Sequence, residues 1–117
     1  DVSAQKTTRQ ILRFLHDKWD LSVDEIATIT EMKPTMVSRW IQGDSLPPPP
    51  DSNTYQIILE LVDLHIWMQS VLGDSISSWL RSSSPDFDGQ SPLELLCRGE
   101  IEPIRTQLIT FESGAFL

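Results

Sequence analysis

The sequence predicts an all-α protein, with a three-helix unit followed by a small four-helix unit. Every segment with hydrophobic periodicity repeats at the helical spacing, and none alternates convincingly as a strand. Helix-capping residues stand where the periodic segments begin. The run LPPPPDSN marks a boundary, because consecutive prolines form a stiff, extended spacer. We therefore predict one domain over 1–46, a proline-rich linker over 47–53 and a second domain over 54–117.

The first unit begins with one amphipathic helix. Thr7 with Gln10 resembles a capping box, which predicts a helix that starts there and runs over roughly 8–19. Four apolar residues share one face of this helix: Ile11, Leu12, Leu15 and Trp19.

A second and a third helix follow at a short interval. Ser22 with Glu25 is another capping box, and Pro34 suits the first turn of a helix, where its missing N–H leaves no bond unmade. The residues EMK between them form a tight turn, and Gly43 closes the third helix. The inward positions of these two helices are Val23, Ile26, Ala27, Thr30, Val37, Trp40 and Ile41.

This pair has the spacing of a helix-turn-helix motif, LSVDEIATIT-EMK-PTMVSRWIQG. The second helix of such a motif lies in the major groove, where Arg39 and Gln42 can make bidentate contacts to guanine and adenine. The alternative is a three-helix scaffold that binds no DNA. The candidate DNA-contacting residues are Lys33, Thr35, Met36, Ser38, Arg39 and Gln42.

A long helix is predicted over 54–72, with Gly73 at its end. A helix that is apolar around most of its circumference must be covered on more than one face. It packs either within the chain or against a second subunit, and we favour a homodimer. Its two apolar stripes are Tyr55, Ile58, Leu59, Val62 and Ile66, and Ile57, Leu61, Leu64, Met68 and Val71.

Three shorter helices complete the second unit. Asp74 is the predicted cap of the first, within SISSWLRS. Ser91, Pro92 and Glu94 supply the N-cap, N1 and N3 positions of the second, PLELLCR, which a glycine ends. The last helix stops near Gly114. Its apolar face carries Ile101, Ile104, Leu108 and Phe111.

Charge and composition narrow the class of function. The formal net charge is −8, and residues 47–117 carry ten acidic and three basic side chains. This balance argues against a purely electrostatic nucleic-acid binder and for a basic partner. Charged residues interrupt the apolar run of 54–72, so no membrane span is expected. Cys97 is the single cysteine, which favours a reducing cytoplasm.

No motif in the sequence supports catalysis, a cofactor or a metal. The segment SPDFDG resembles the start of a calcium loop, but Leu95 stands where the bidentate glutamate belongs. His16 and His65 have no nucleophile or metal-ligand spacing around them, and we interpret both as surface or packing residues. Cys97 is expected to be a small core residue. We predict that the protein is not an enzyme.

The second unit resembles the toxin-binding domain of the Xre/MbcA/ParS antitoxin family. The matching features are Trp79-Leu80, a Ser84-Pro85 turn, GQSPLELL at 89–96, Gly99-Glu100, and a final helix that runs into the tail Gly114–Phe116. The family also places an Xre-like helix-turn-helix before this domain, so the resemblance extends over nearly the whole chain.

This resemblance implies an antitoxin that binds a RES-domain toxin, an NAD⁺-degrading enzyme, and blocks entry to its active site. It also implies operator DNA as a partner, through which the complex represses its own operon. Acidic residues of the second unit would suit a cation-lined NAD pocket, although a solvated acidic face is the alternative. The implied toxin-contacting residues are Trp79, Glu100, Glu112, Ser113, Gly114, Ala115, Phe116 and Leu117.

We therefore predict a cytoplasmic antitoxin that works as a homodimer or as a higher hetero-oligomer with its toxin. One alternative is a stand-alone transcription regulator whose second domain oligomerises. Another is a pure protein-binding module with a vestigial helix-turn-helix. The tail FESGAFL is either a helix cap that folds back on the last helix or a plug for the partner's active site, with Gly114 as the turn.

Overall fold

A computed structural model describes residues 2–43, 47 and 50–114, with side chains from residue 5 onward. This part of the chain contains only helices and their connections, which confirms the predicted all-α class. Short 3-10 turns over Gly73–Ser75 and Pro85–Phe87 flank the fifth helix. The helices are α1 Val2–Asp17, α2 Val23–Thr30, α3 Pro34–Gln42, α4 Ser52–Leu72, α5 Ile76–Leu80, α6 Pro92–Cys97 and α7 Glu102–Glu112.

The chain divides into two compact units, Asp1–Val62 and Asp63–Leu117, and the division falls inside α4. We refer to them as unit 1 and unit 2. The domain boundaries expected at the proline-rich segment stay a prediction. In the part of the chain that the structure covers, no helix is both long and apolar enough to cross a bilayer.

Helix α1 begins six residues earlier than the sequence pattern predicts, at Val2 rather than near residue 8. The prediction relied on Thr7 as a cap, but Thr8 beside it is fully buried, so these residues lie inside a packed helix. Gln5 also anchors the early turns, because its Nε2 donates to the carbonyl of Pro47 at 2.8 Å. Tertiary packing therefore overrides the local capping signal.

Helices α2 and α3 start where their sequence signals predict. The Ser22 hydroxyl accepts from the Glu25 N–H at 3.1 Å, and the Glu25 carboxylate accepts from the Ser22 N–H at 2.8 Å. Glu31 ends α2 in a left-handed conformation with φ of 60°, and Pro34 occupies the first turn of α3. The core of unit 1 includes Leu12, Leu15, Trp19, Leu21, Ile26, Ala27, Ile29, Val37, Trp40, Ile41, Ile58 and Leu61.

Helix α4 begins at Ser52, two residues before the predicted start. Asp51 caps it, because its Oδ1 accepts from the backbone N–H of Thr54 at 2.8 Å. Its fully buried positions are Thr54, Ile58, Leu61, Leu64 and Met68, drawn partly from each predicted stripe. In the single chain Leu59 is 39% and Ile66 is 63% exposed, so the first stripe is only partly covered, and the predicted homodimer stays a prediction.

Unit 2 is built on short helices with strong caps. The Ser91 hydroxyl accepts from the Glu94 N–H at 3.2 Å, and the Glu94 carboxylate accepts from the Ser91 N–H at 3.2 Å, which confirms the predicted box. Asp74 lies within a 3-10 turn and not ahead of α5 as its cap. Cys97 is half-buried rather than a full core residue. The core includes Leu64, Met68, Ile76, Leu80, Phe87, Leu93, Leu95, Leu96, Ile104 and Leu108.

His65 is expected to make the protein less stable at low pH. Burial lowers the pKa of this imidazole below its ordinary value of 6.5, because desolvation disfavours the charged form. The unfolded chain then binds more protons, so stability falls as the pH drops below about 6.5. We expect His65→Gln to reduce the loss of stability between pH 7.5 and pH 5.5, measured by urea unfolding. An unchanged pH dependence in that variant would exclude this role.

Candidate interaction sites

The outer face of α3 displays most of the residues predicted to contact DNA. Lys33, Thr35, Arg39 and Gln42 are exposed, and Met36 and Ser38 are half-buried. Lys33 occupies the N-cap position of α3 without a side-chain capping bond. The six residues thus lie on one short helix and its cap, and the apolar positions between them face the core.

Two arginines of α1 donate hydrogen bonds to backbone carbonyls within unit 1. Arg9 Nε donates to the carbonyl of Trp40 at 2.6 Å, and Arg13 Nε donates to the carbonyl of Ile41 at 2.9 Å. The last carbonyls of a helix lack partners within it and favour a nearby cation. Residues four apart lie on one face of a helix, so α1 caps the C-terminal end of α3. Arg39 on α3 and Lys33 at its N-cap are the cations of the outer face of α3.

A cleft of about 390 Å³ lies beside the first turn of α3. One side is the turn between α2 and α3, and the other is the start of α4. Asn53 Nδ2 donates to Glu31 Oε2 at 3.1 Å across the two sides. The cleft is lined by Glu31, Met32, Lys33, Met36, Trp40, Pro50, Asp51 and Thr54.

The last turn of α7 is held to the rest of unit 2 by two aromatic contacts. The indole Nε1 of Trp67 donates to Oε1 of Glu112. The ring of Trp79 meets that of Phe111 edge-to-face, with centroids 6.2 Å apart and an interplanar angle of 69°. These contacts hold the last turn of α7 in place within unit 2.

The end of α7 has defined geometry up to Gly114. The Ser113 hydroxyl donates to the carbonyl of Thr110 at 2.8 Å, and the Gly114 N–H donates to that of Phe111 at 3.1 Å. Gly114 has φ of 75°, the left-handed conformation that the sequence assigns to a turn at this position. Ala115, Phe116 and Leu117 lie outside the described residues.

The predicted toxin-contacting residues are only partly brought together. Trp79 and Glu112 are joined through α7, because Phe111 contacts Trp79 and its neighbour Glu112 contacts Trp67. Glu100 follows α6 instead, and its Oε1 lies 3.5 Å from the guanidinium of Arg98. The acidic residues expected to form an anionic surface are all exposed: Asp86, Asp88, Glu94, Glu100, Glu102 and Glu112.

Two residues of this site were not identified from the sequence. Trp67 belongs to a helix that is apolar on most sides, so the sequence pattern could not predict its contact with Glu112. Ile109 is 57% exposed on α7, on the same outward stripe as Glu102, Thr106 and Ser113. Their spacing of three to four residues is the available signal, since Ile109 is the apolar member of an otherwise polar face.

The chain is similar in sequence to a known protein. No protein-family model matches the sequence. The chain is 26% identical over 94 residues to the "Probable mycobacterial cidal antitoxin" of Mycobacterium tuberculosis, and the alignment covers 80% of this chain and 77% of that protein.

The fold also matches a solved structure. One chain of the crystal structure of the M. tuberculosis MbcT–MbcA toxin–antitoxin complex superposes with a TM-score of 0.66 at 21% identity. The match covers 94% of this chain and 97% of that chain. At this level of identity, the similarity establishes the shared all-α fold.

Proposed function

We propose that this protein is a non-enzymatic antitoxin whose unit 2 binds a toxin and occludes its active site. The observation that carries the proposal is the fixed last turn of α7. Trp67 and Trp79 hold Glu112 and Phe111, so the last turn of α7 has a defined position within unit 2. A helix end that is already held in place loses less conformational freedom on binding than a mobile one would. Similarity to a mycobacterial antitoxin supports the same function.

The proposed partner is a RES-domain toxin that degrades NAD⁺. A pocket for the NAD pyrophosphate requires cations, and unit 2 carries eight acidic and three basic side chains. Glu102 and Glu112 lie on or beside the outward stripe of α7. Opposite charges steer association, and the apolar groups Ile109 and Phe116 then supply contact area. The compartment for this chemistry is the cytoplasm.

Ile109→Asp is expected to weaken toxin binding without unfolding unit 2. The side chain is already 57% exposed, so the change removes no core packing. It replaces an apolar contact with a charge that must be desolvated, and loss of such an anchor costs about 2 kcal/mol or more of binding free energy. Isothermal titration with the toxin measures the effect. Glu102→Gln is a matched surface control on the same stripe. It should alter mainly the salt dependence of toxin binding.

The decisive experiment is co-expression with the product of the adjacent gene. A stable complex on size-exclusion chromatography and restored cellular NAD⁺ would support the proposal. Absence of a complex with any co-encoded RES-domain protein would contradict it. In that case the second candidate, a stand-alone regulator whose predicted second domain over 54–117 oligomerises, gains support from the exposed Leu59 and Ile66 on α4.

Unit 1 is proposed to bind operator DNA through a helix-turn-helix formed by α2 and α3. Unit 1 carries six basic and nine acidic side chains, and Arg9 and Arg13 cap α3. The attraction of unit 1 for DNA phosphates therefore depends on a few local cations. A homodimer or a larger complex with the toxin adds a second half-site and raises the effective concentration. Sedimentation at tens of micromolar tests the dimer, and a monomer would exclude it.

Arg39→Ala is expected to reduce the preference for operator over scrambled DNA. A bidentate contact to guanine is worth about 1–3 kcal/mol of discrimination, so the affinity ratio should fall about fivefold or more. Lys33→Ala is the matched control, because a phosphate contact should weaken binding to both duplexes alike. Fluorescence anisotropy at several salt concentrations measures both. An unchanged affinity ratio for Arg39→Ala would exclude α3 as the recognition helix.

A further inference from the structure

The cations of unit 1 are concentrated on α1. This helix carries three of the six basic side chains of the unit, but only one of its nine acidic side chains, Asp17 at its last residue. Residues 2–16 therefore form a basic segment in a chain whose formal net charge is −8. A local excess of cations in an acidic protein favours an anionic partner at that place.

The three cations share one face of α1. Lys6, Arg9 and Arg13 follow one another at intervals of three and four residues, which is the spacing of neighbours on a helix surface. Gln10 lies between them, and Asp17 ends the face one turn beyond Arg13. Lys6, Gln10 and Arg13 are exposed, and Arg9 is half-buried. We refer to Lys6, Arg9, Gln10 and Arg13 as the basic face of α1.

Two hydrogen bonds join the basic face to the end of α3. Arg9 Nε donates to the carbonyl of Trp40 at 2.6 Å, and Arg13 Nε donates to that of Ile41 at 2.9 Å. A guanidinium carries five N–H donors, and Nε supplies only one of them. The exposed Arg13 is thus held by its Nε and has four further donors on its two amino groups.

An arginine held in this way suits a phosphate group. Guanidinium donors match phosphate oxygens in pairs, and a side chain that is already ordered loses less rotamer freedom on binding. Lys6 adds a point charge on the same face. Seven residues separate it from Arg13, which is about 10 Å along the helix axis. The two cations can therefore contact different phosphates of one strand.

We propose that the basic face of α1 binds the phosphate backbone of double-stranded DNA, beside the groove that α3 enters. This inference rests on the proposed function of unit 1 and extends it to a second helix. Arg39 and Gln42 contact base edges, whereas Lys6 and Arg13 contact phosphates and carry no sequence information. Because Arg13 is bonded to the last turn of α3, its phosphate contact also sets the register of α3 in the groove.

The competing role for the two arginines is to cap α3 and nothing more. Lys6 distinguishes the two roles, because it is exposed and makes no hydrogen bond to α3 among the described residues. If capping is the whole role of this face, Lys6→Gln leaves DNA binding unchanged. If the face binds phosphates, Lys6→Gln weakens DNA binding as Arg13→Gln does.

Fluorescence anisotropy on the whole chain tests the surface. The probes are a duplex from the DNA upstream of its gene and a random-sequence duplex of equal length. Lys6→Gln and Arg13→Gln should each weaken binding to both duplexes by the same factor. Each lost phosphate contact should reduce the slope of log affinity against log salt concentration by about 0.9. Between about 50 and 200 mM salt, the affinity of the unmodified protein should then fall about 3.5-fold further than that of either variant.

Lys18→Gln is the matched control. Lys18 is an exposed cation of unit 1, but it follows Arg13 by five residues and so lies on a different side of the helix. Its replacement removes the same charge and should leave the salt slope unchanged. Urea unfolding reports whether Arg13→Gln also weakens the cap of α3. Lys6→Gln breaks no such bond, so its salt slope decides even if Arg13→Gln is less stable.

The outcomes separate this surface from the proposed function. Unchanged slopes in Lys6→Gln and Arg13→Gln, with duplex binding intact, would overturn the phosphate surface and leave DNA binding by α3 standing. An equal loss of slope in Lys18→Gln would also overturn it, because net charge would then explain the effect. Reduced slopes together with an unchanged affinity ratio in Arg39→Ala would support the surface and contradict α3 as the recognition helix. Binding of neither duplex, by the free protein or by its complex with the toxin, would overturn both.

Discussion

Deletion of residues 113–117 is expected to abolish neutralisation of the toxin while unit 2 stays folded. Helix α7 ends at Glu112, and its buried residues Ile104 and Leu108 lie upstream of the deletion. The Trp67–Glu112 and Trp79–Phe111 contacts are retained as well. What disappears is the apolar segment proposed to enter the toxin. Loss of such an anchor costs about 2–4 kcal/mol, so affinity should fall about 30-fold or more.

The experiment separates a plug from a self-packed cap. NAD⁺ hydrolysis by the proposed RES-domain toxin is titrated with the intact and truncated proteins, and far-UV circular dichroism reports their helical content. Replacement of Ala115, Phe116 and Leu117 by serines keeps the chain length and should lose inhibition as the deletion does. If the truncated protein folds and still neutralises the toxin at equal concentration, the proposed plug is wrong. If it loses helical content and melts earlier, the tail is a cap.

Trp40→Ala is expected to destabilise unit 1 by about 3–5 kcal/mol. Trp40 is fully buried, and its backbone carbonyl accepts the hydrogen bond from Arg9. Truncation leaves a cavity between α3 and its neighbours that rigid helices cannot close. Since native domains are stable by only about 5–15 kcal/mol, much of the stability of unit 1 would be lost.

Trp40→Phe is the matched control, because it keeps an aromatic ring and removes an N–H that has no partner in the described structure. Its cost should be much smaller than that of Trp40→Ala. Hydrogen exchange of backbone amides in α1, α2 and α3 measures both variants. Full protection of these amides in Trp40→Ala would show that the indole does not support the core.

Local sequence signals located most helix boundaries. Ser22 with Glu25 and Ser91 with Glu94 form the reciprocal bonds that their spacing predicts, and each box involves residues only three apart. The same signal failed at Thr7, because α1 continues to Val2. A capping pattern inside a helix looks the same as one at its start, and only packing against other helices separates the two.

The candidate sites also contain some residues that the sequence predicted and others that it did not. The outward positions of α3 follow from helical periodicity, so the exposed Lys33, Arg39 and Gln42 were predictable. The Trp67–Glu112 contact joins residues 45 apart in the chain, and no periodicity connects them. The cleft at Met36 was equally hidden, because its second wall comes from Pro50, Asp51 and Thr54, which are distant in the sequence.

The sequence by itself determined the all-α class, the caps of α2 and α6, and the acidic character of the second half of the chain. These properties depend on residues close to one another or on composition alone. Only the tertiary structure decided which residues of α4 are buried, where Arg9 and Arg13 donate, and how the end of α7 is held. Each of these is a contact between distant segments, and its free energy depends on the packing of the whole unit.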